Sequence, residues 1–307
     1  MKAAAFDYLA PRSLDEAVEA LLQHGEDAKL LAGGQSLAPV LALRLASPSV
    51  LIDLNRVEGL GRLEIGADGS VLAGAMVRSR TLELSPELAL VQPLIHAAMP
   101  WVAHVQIRNR GTLGGSLAHA DPSAELPAVA LACDATLRLQ GPSGVREVTA
   151  ESFFQGLFTT ALAGDELLVG VRFPGCPAGR RHGFAEIARR HGDYAMLGVA
   201  LSVDVDVDAR VIAARVVLFG AADLPVRAHA VEAALIGEPA VVSLAERVAP
   251  LATDGLEPRS DHQASAEYRR ELARVLVRRT LAKALAPQAV AVPATPSARG
   301  NARVDAR

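Results

Sequence analysis

Apolar and polar residues along the first sixty positions follow a pattern that predicts alternating helix and strand. A helical stripe begins after Ser13 and Glu16, which have the spacing of a capping box. Its apolar members are Leu14, Val18, Leu21 and Leu22. Apolar runs at 29–32 and 50–54 predict strands, and a short helix is expected between them over 37–45. Because helices separate the strands, this β-α-β-α-β unit is predicted to form a parallel sheet.

The middle of the chain changes to a mixed pattern with more turns. Segments 62–65 and 70–76 predict a hairpin around Asp68 and Gly69. The other elements expected here are a helix over 85–104 interrupted near its prolines, a polar glycine-rich loop over 108–122, a helix over 123–133, and strands over 136–140 and 166–173.

The last third predicts strands followed by helices. The strands are expected over 183–190, 195–206 and 211–220, and the helices over 225–236, 240–252 and 264–286. The final helix has an apolar stripe of Leu272, Val275, Leu276 and Leu281. Its arginines are interpreted as a solvated face; they are Arg269, Arg270, Arg274, Arg278 and Arg279. The tail over 287–307 is rich in Ala, Pro and Arg without periodicity, which predicts disorder.

Composition narrows the class of protein. Of the 307 residues, 50% are hydrophobic and 4% aromatic, and the net charge is −3, which argues against a nucleic-acid binder. No apolar run is long enough to span a bilayer, and no signal peptide is predicted, so a cytoplasmic location is expected. Cys133 and Cys176 form no CxxC pair, and the histidines show no metal-binding spacing. We therefore expect no metal site and no catalytic residue in this chain.

Two glycine-rich segments are the strongest candidates for ligand binding. Ala32-Gly33-Gly34-Gln35-Ser36 lies between a predicted strand and helix, and Arg110 to Ser116 is a second such segment. Glycines allow a ligand to approach the backbone, and free N–H groups attract phosphate, although a tight turn alone also requires glycine. Two such loops favour a ligand with more than one phosphate. Neither loop has the Rossmann or the P-loop spacing, which leaves a diphosphate ligand in a non-Rossmann site.

Five motifs stand in order along the chain. They are AGGQS at 32–36, TLGGS at 112–116, HADPSAELP at 119–127, RRHGDYA at 189–195, and SAEYR at 265–269 with VRR at 277–279. In order and spacing they resemble the FAD-binding medium subunit of the carbon monoxide dehydrogenase and xanthine dehydrogenase family of molybdenum hydroxylases. The resemblance implies an α+β fold of the vanillyl-alcohol-oxidase (PCMH) type, with two α+β subdomains and a C-terminal three-stranded antiparallel sheet plus helices. The implied domains are 1–57 and 58–177, which bind FAD, then 178–286 and a tail over 287–307.

The same resemblance implies which residues hold a noncovalent FAD. The pyrophosphate would lie between the first loop and the second. The residues implied for the first loop are Leu31, Ala32, Gly33, Gly34, Gln35, Ser36 and Leu37, and those for the second are Thr112, Gly114, Gly115 and Ser116. His119, Ala120 and Asp121 would lie near the flavin, as would Asp193 and Tyr194, and Glu125 would bind the adenosine ribose. Three positions depart from the family pattern: relatives often have Asp at 125, His at 35 and Asn at 116.

The resemblance also implies partners. A large subunit would hold the molybdenum cofactor, a small subunit would hold two [2Fe–2S] clusters, and the assembly is expected to be a dimer of heterotrimers. FAD would collect electrons from the clusters and pass them to an external acceptor. Two alternatives stay open on the sequence: a self-contained flavin oxidase or reductase of the same broad fold, and a non-enzymatic nucleotide-binding or assembly module.

Overall fold

The structure is a computed structural model that describes residues 2–287. The disorder predicted for the tail concerns residues outside this range, except residue 287. The first unit consists of β1 (Asp7–Leu9), α1 (Leu14–His24), β2 (Ala28–Leu31), α2 (Leu37–Ala42) and β3 (Val50–Asp53). Its three strands are parallel in the order β1-β3-β2, as predicted. Ser13 caps α1 by accepting a hydrogen bond from the Glu16 amide, and the buried face of α1 packs against the sheet.

The second unit is built on a five-stranded antiparallel sheet in the order β4-β5-β10-β6-β7. Its strands are β4 (Leu63–Ile65), β5 (Val71–Gly74), β6 (Thr136–Gly141), β7 (Gly144–Thr149) and β10 (Leu167–Phe173), with a small pair β8 (Phe154–Gly156) and β9 (Thr159–Thr160) beside it. Its helices are α3 (Ser79–Leu84), α4 (Pro86–Val91), α5 (Pro93–Ala98), α6 (Val105–Arg108), α7 (Leu113–His119), α8 (Glu125–Ala132) and α9 (Ala150–Phe153). Every residue of α8 is buried, which places this helix at the centre of the largest core.

The prediction of a polar loop over 108–122 is wrong, because most of the second glycine motif lies in a helix. Thr112 caps α7 by accepting a hydrogen bond from the Gly115 amide. Leu113 and Leu117, one turn apart, are both buried in the core. This apolar burial and the cap outweigh the low helix propensity of two glycines, about 1 kcal/mol each. The sequence analysis also missed α3 and the edge strand β7.

The third unit is an antiparallel sheet covered by helices. Its strands are β11 (Arg180–Ile187), β12 (Leu197–Val205), β13 (Val211–Phe219) and β14 (Val226–Arg227), and its helices are α10 (His229–Leu235), α11 (Val242–Val248) and α12 (Ala266–Leu285). The sheet has four strands rather than the predicted three, because β14 pairs with Val217 and Leu218 where a helix was expected to begin. No helix within residues 2–287 is long and apolar enough to cross a membrane.

The arginines of α12 do not form a uniformly solvated face. Arg269 is 3% exposed and donates to the backbone oxygens of Met196 and Gly220 and, at 2.7 Å, to Asp261. The prediction is therefore wrong for this arginine. It holds for Arg270, whose side chain is exposed. The difference arises because α12 packs against β11 and β12, so one arginine of the helix meets the carbonyl groups at the ends of the strands.

Candidate cofactor-binding site

The two glycine motifs lie against each other although about 80 residues separate them in sequence. A Cβ placed on Gly33 would lie 2.5 Å from the Arg110 carbonyl oxygen and 2.8 Å from the Gly111 Cα. A Cβ on Gly115 would lie 3.4 Å from the Ala32 Cβ. The close fit therefore requires glycine at position 33. The contact between the two motifs joins the first unit to the second at the candidate site.

The first loop presents a row of backbone donors. The N–H groups of Gly33, Gly34, Gln35 and Ser36 have no acceptor in the part of the chain that the structure describes. Gly34 has φ +74°, and the Gln35 side-chain amide donates to the Gly33 oxygen at 3.0 Å, which stabilises the turn. Successive backbone N–H groups in such a turn form a concave anion-binding surface. This loop is suited to hold a phosphate or diphosphate group. Leu31 ends the strand before it and Leu37 begins the helix after it.

The second loop differs from the first, because its backbone N–H groups already donate hydrogen bonds within the chain. The Gly114 amide donates to the Ala75 oxygen at 2.8 Å, the Gly115 amide to the Thr112 hydroxyl at 3.1 Å, and the Ser116 amide to the Thr112 oxygen at 3.1 Å. Gly114 is also packed tightly, since a Cβ there would lie 2.5 Å from the Ala75 Cβ. The second loop therefore offers the half-buried Ser116 hydroxyl and a smooth backbone surface rather than a row of free donors.

The segment after α7 meets a residue from the third unit. Ala120, which is buried, has φ +50° and reverses the chain, and the Asp121 carboxylate accepts from the Ser123 amide at 2.8 Å. Tyr194, which is half-exposed, lies close to Ser36 and Asp121, and the partial burial of its ring together with the Asp121 charge raises the pKa of Tyr194. Residues of all three units therefore lie close together here, and the binding of FAD by Ser36, Asp121 and Tyr194 stays a prediction.

The other two predicted residues near this point are more peripheral. The His119 ring packs on Phe158 with centroids 5.0 Å apart, and the Asp193 side chain is exposed. The turn before Tyr194 is closed by the Asp193 amide, which donates to the Arg190 oxygen at 3.1 Å. The His191 ring stacks on Trp101 at 5.5 Å and anchors this turn to the second unit. Trp101 thus has a packing role in this part of the second unit.

Two further carboxyl groups are buried, and one of them, Glu125, is a candidate site residue predicted from the sequence. Glu125, 6% exposed, lies in the first turn of α8, where burial raises its pKa to about 7 with a further contribution from Asp121. Glu186 of β11 is also 6% exposed, and burial together with Glu125 raises its pKa to about 8. The Oε2 atom of Glu186 has no hydrogen-bond partner among the described residues. Its signal in the sequence was slight: one carboxylate within a strand of mixed polarity.

The arrangement offers binding groups rather than a nucleophile or a metal centre. Among residues 2–287, no cluster of three or more His, Cys, Asp or Glu side chains is arranged to hold a metal ion. Cys133 is buried, which raises the pKa of its thiol to about 12 and makes it unreactive at neutral pH. The site instead combines an anion-binding loop with hydroxyl and carboxyl groups beside it. It is suited to a long ligand with a phosphate centre and polar ends.

Comparisons with known proteins cover nearly the whole chain. Residues 4–176 match the FAD binding domain in molybdopterin dehydrogenase, and residues 182–284 match the CO dehydrogenase flavoprotein C-terminal domain. The chain is 42% identical to the nicotine 6-hydroxylase medium subunit of Paenarthrobacter nicotinovorans, over 92% of this chain and 99% of that one. It is 40% identical to the 6-hydroxypseudooxynicotine dehydrogenase complex subunit alpha of the same organism, over 93% and 96%. The solved structure of carbon monoxide dehydrogenase from Hydrogenophaga pseudoflava superposes with a TM-score of 0.89, at 38% identity over 92% and 98% of the two chains.

Proposed function

The chain belongs to the FAD-binding medium subunits of multi-subunit molybdenum hydroxylases, and we propose that its role there is to transfer electrons. The family, the α+β FAD-binding fold and FAD as the cofactor are confirmed by the matches, which make the chain an oxidoreductase subunit. Under the proposal it accepts electrons from the [2Fe–2S] clusters of a small subunit and passes them to an external acceptor. The molybdenum cofactor lies in a large subunit, and two heterotrimers associate as a dimer.

The observation that best supports the proposal is the row of free amides from Gly33 to Ser36 beside the second glycine motif. Four neighbouring N–H donors suit the oxygens of a pyrophosphate, because each oxygen can accept a hydrogen bond from the backbone. Such a surface binds the anion without a lysine to neutralise it. Residues 31–37 would hold the pyrophosphate from one side. Thr112, Gly114, Gly115 and Ser116 would lie on its other side.

The remaining predicted residues would fix the two ends of the cofactor. Glu125 would accept hydrogen bonds from the adenosine ribose. His119, Ala120, Asp121, Asp193 and Tyr194 would lie at the flavin end. When bound, FAD supplies a group that takes up electrons singly and releases them in pairs, while the protein positions it and excludes water. In this chain the Tyr194 hydroxyl, with its raised pKa, stays neutral and serves as a hydrogen-bond donor or acceptor rather than a base.

The proposed order of electron flow is tested on the three-subunit complex. The three subunits are co-expressed, FAD is removed, and the complex is compared with the same complex after FAD is restored. We expect the FAD-free complex to lose turnover with the acceptor, while substrate still bleaches the iron–sulfur absorbance, because the clusters lie upstream of FAD. A loss of cluster reduction in an intact FAD-free complex would contradict this order. Substrate hydroxylation by the isolated chain would overturn the subunit assignment.

A further inference from the structure

Two carbonyl groups of the first loop are held by side-chain amides. The Asn55 Nδ2 atom donates to the Ala32 oxygen at 2.9 Å, and the Gln35 Nε2 atom donates to the Gly33 oxygen at 3.0 Å. In a planar trans peptide the C=O group and the N–H group of the next residue point in opposite directions. Each of these hydrogen bonds therefore fixes the direction of one N–H group in the row, that of Gly33 or that of Gly34.

The direction of these peptides matters for an anion. Glycine residues adopt positive and negative φ with little cost, so the peptides around Gly33 and Gly34 are the ones that can most readily rotate. Rotation would replace an N–H donor with a carbonyl oxygen, which repels a phosphate. Neither N–H group has an acceptor within residues 2–287, so no hydrogen bond on the donor side holds either peptide there. The hydrogen bonds to the carbonyl oxygens supply that restraint.

The parallel sheet of the first unit brings Asn55 beside the loop. Leu31 of β2 is in register with Asp53 of β3, so both strands end at the same edge of the sheet. Ala32 follows the first strand, and Asn55 lies in the short turn after the second. The Asp53 Oδ1 atom accepts from the Asn55 backbone N–H at 2.9 Å and also from the Asn55 side-chain amide. The Asn55 side chain is therefore held in place although it is exposed.

Arg78 connects this arrangement to the second unit. Its Nη2 atom donates to the Asn55 Oδ1 atom at 2.5 Å, and its Nη1 atom donates to the Arg110 oxygen. The Arg110 oxygen is the one that lies against Gly33. The Arg78 backbone forms an isolated antiparallel bridge with Thr112 of the second motif. One guanidinium thus holds both Asn55 and the carbonyl group on which the first loop packs.

We propose that Asn55 and Arg78 are positioning residues for the FAD pyrophosphate: Asn55 directs the Gly33 N–H group through the Ala32 carbonyl, and Arg78 holds Asn55. The inference rests on the proposed function, because it takes the first loop as the pyrophosphate site. Neither side chain needs to touch the cofactor. An amide suits position 55 because it donates twice, to Ala32 and Asp53, and also accepts from Arg78.

The first test replaces Asn55 and measures FAD binding to the full chain by quenching of flavin fluorescence. Asn55→Ala should raise the FAD Kd about threefold to tenfold, as for the loss of one net hydrogen bond. Gln23→Ala, which removes an exposed side-chain amide on α1, is the matched control and should leave the Kd unchanged. The phosphorus-31 NMR spectrum of each chain is then recorded at saturating FAD. We expect at least one pyrophosphate signal to move in Asn55→Ala and none in Gln23→Ala, because a phosphate oxygen loses its N–H donor only in the first variant.

The second test examines the link through Arg78. Arg78→Lys keeps the positive charge, but one ammonium group cannot hold both acceptors in the geometry of a guanidinium. Its FAD Kd should also rise about threefold to tenfold, whereas Arg62→Lys, at an exposed position, should have no effect. Because both residues act on the same peptide, the double variant Asn55→Ala, Arg78→Lys should raise the Kd by clearly less than the product of the two single effects. An effect equal to that product would show that Arg78 acts independently of Asn55 and would refute the link.

Gly34→Ala, a substitution in the loop itself, separates this inference from the proposed function. If Gly34→Ala weakens FAD binding but Asn55→Ala has the Kd of Gln23→Ala, the positioning role is refuted and the proposed function stands. If neither Gly34→Ala nor Asn55→Ala changes the Kd, the first loop is not the pyrophosphate site, and that part of the proposed function fails. A raised Kd in Asn55→Ala with unmoved phosphorus signals would also refute the positioning role, because the loss would then arise away from the pyrophosphate. Urea unfolding of the FAD-free chains shows whether Asn55→Ala is folded; if it is not, Arg78→Lys is used for both measurements and must meet the same expectations.

Discussion

Gly34→Ala offers a test of the first loop in which strain and ligand contact can be separated. Gly34 has φ +74°, and a Cβ there would meet only the Leu31 Cδ1 atom, at 3.2 Å, within 4 Å. The methyl group therefore fits once the flexible end of the Leu31 side chain moves by a few tenths of an ångström. The left-handed conformation costs an alanine about 1–2 kcal/mol in the free energy of unfolding.

Gly59→Ala is the matched control for that strain. Gly59 has φ +83°, and no atom lies within 4 Å of a Cβ placed on it. It lies outside both glycine motifs, so its substitution should cost the same about 1–2 kcal/mol in stability without touching the ligand. Because this strain is present with and without FAD, it cancels in the binding equilibrium. Any loss of FAD affinity peculiar to Gly34→Ala must then come from contact with the cofactor.

The expected loss of FAD affinity in Gly34→Ala follows from crowding between the new methyl group and the bound cofactor. A methyl group forced into such a contact costs about 1–3 kcal/mol, which corresponds to a Kd for FAD raised about 5- to 150-fold. Both variants are unfolded in urea to measure stability and titrated with FAD by fluorescence quenching. Equal FAD affinity in Gly34→Ala and Gly59→Ala would refute the reasoning, because the first loop would then be only a turn.

Four further predictions address the rest of the molecule. FAD should be bound without a covalent link, so acid precipitation should release flavin that migrates as FAD; colour retained in the pellet would contradict this. Gly114→Ala should lower the free energy of unfolding by about 1–3 kcal/mol, because its Cβ would lie 2.5 Å from the Ala75 Cβ; unchanged urea unfolding would show that the helix can shift. Arg269→Met should lower the free energy of unfolding by about 2–4 kcal/mol, because two backbone oxygens lose a charged donor, whereas Arg270→Met should lower it by about 0.5 kcal/mol or less. Effects of similar size would show that the Arg269 bonds contribute little to stability. The FAD-free chain should lose stability as the pH rises from about 5 through about 8, because burial raises the pKa of Glu186 in the folded state to about 8, well above that of an exposed glutamate. Glu186→Gln should reduce this slope, and an unaltered slope would assign it to other groups.

The sequence alone predicted the fold correctly where the local pattern and the tertiary structure agree. The parallel first unit follows from the order of strands and helices, and the glycine motifs indicated the loop that holds free amides. Glycine is also the reason why α7 could not be predicted: the low helix propensity of Gly114 and Gly115 concealed the cap at Thr112 and the buried leucines on either side.

Other features depend on which elements pack together, and no local pattern reveals that. Arg269 belongs to a run of arginines of similar appearance, and only the packing of α12 against the sheet, where Arg269 meets the Met196 and Gly220 oxygens, buries this one. Glu186 lies in a strand whose polar residues would suit an exposed face equally well. Its burial results from the contact of β11 with the second unit, which brings it near Glu125.

The fit of Gly33 under the Arg110 carbonyl has a consequence for how this site can evolve. The same residue closes the joint between two units and has an N–H group without an acceptor among the described residues, so a mutation that alters one property alters the other. Selection for weaker or tighter cofactor binding is therefore steered away from position 33. The Ser36 side chain is half-buried and takes no part in that joint, so a change there alters ligand contacts without disturbing the joint. A library randomised across the first loop and sorted for flavin retention should keep glycine at position 33 and accumulate its diversity at position 36.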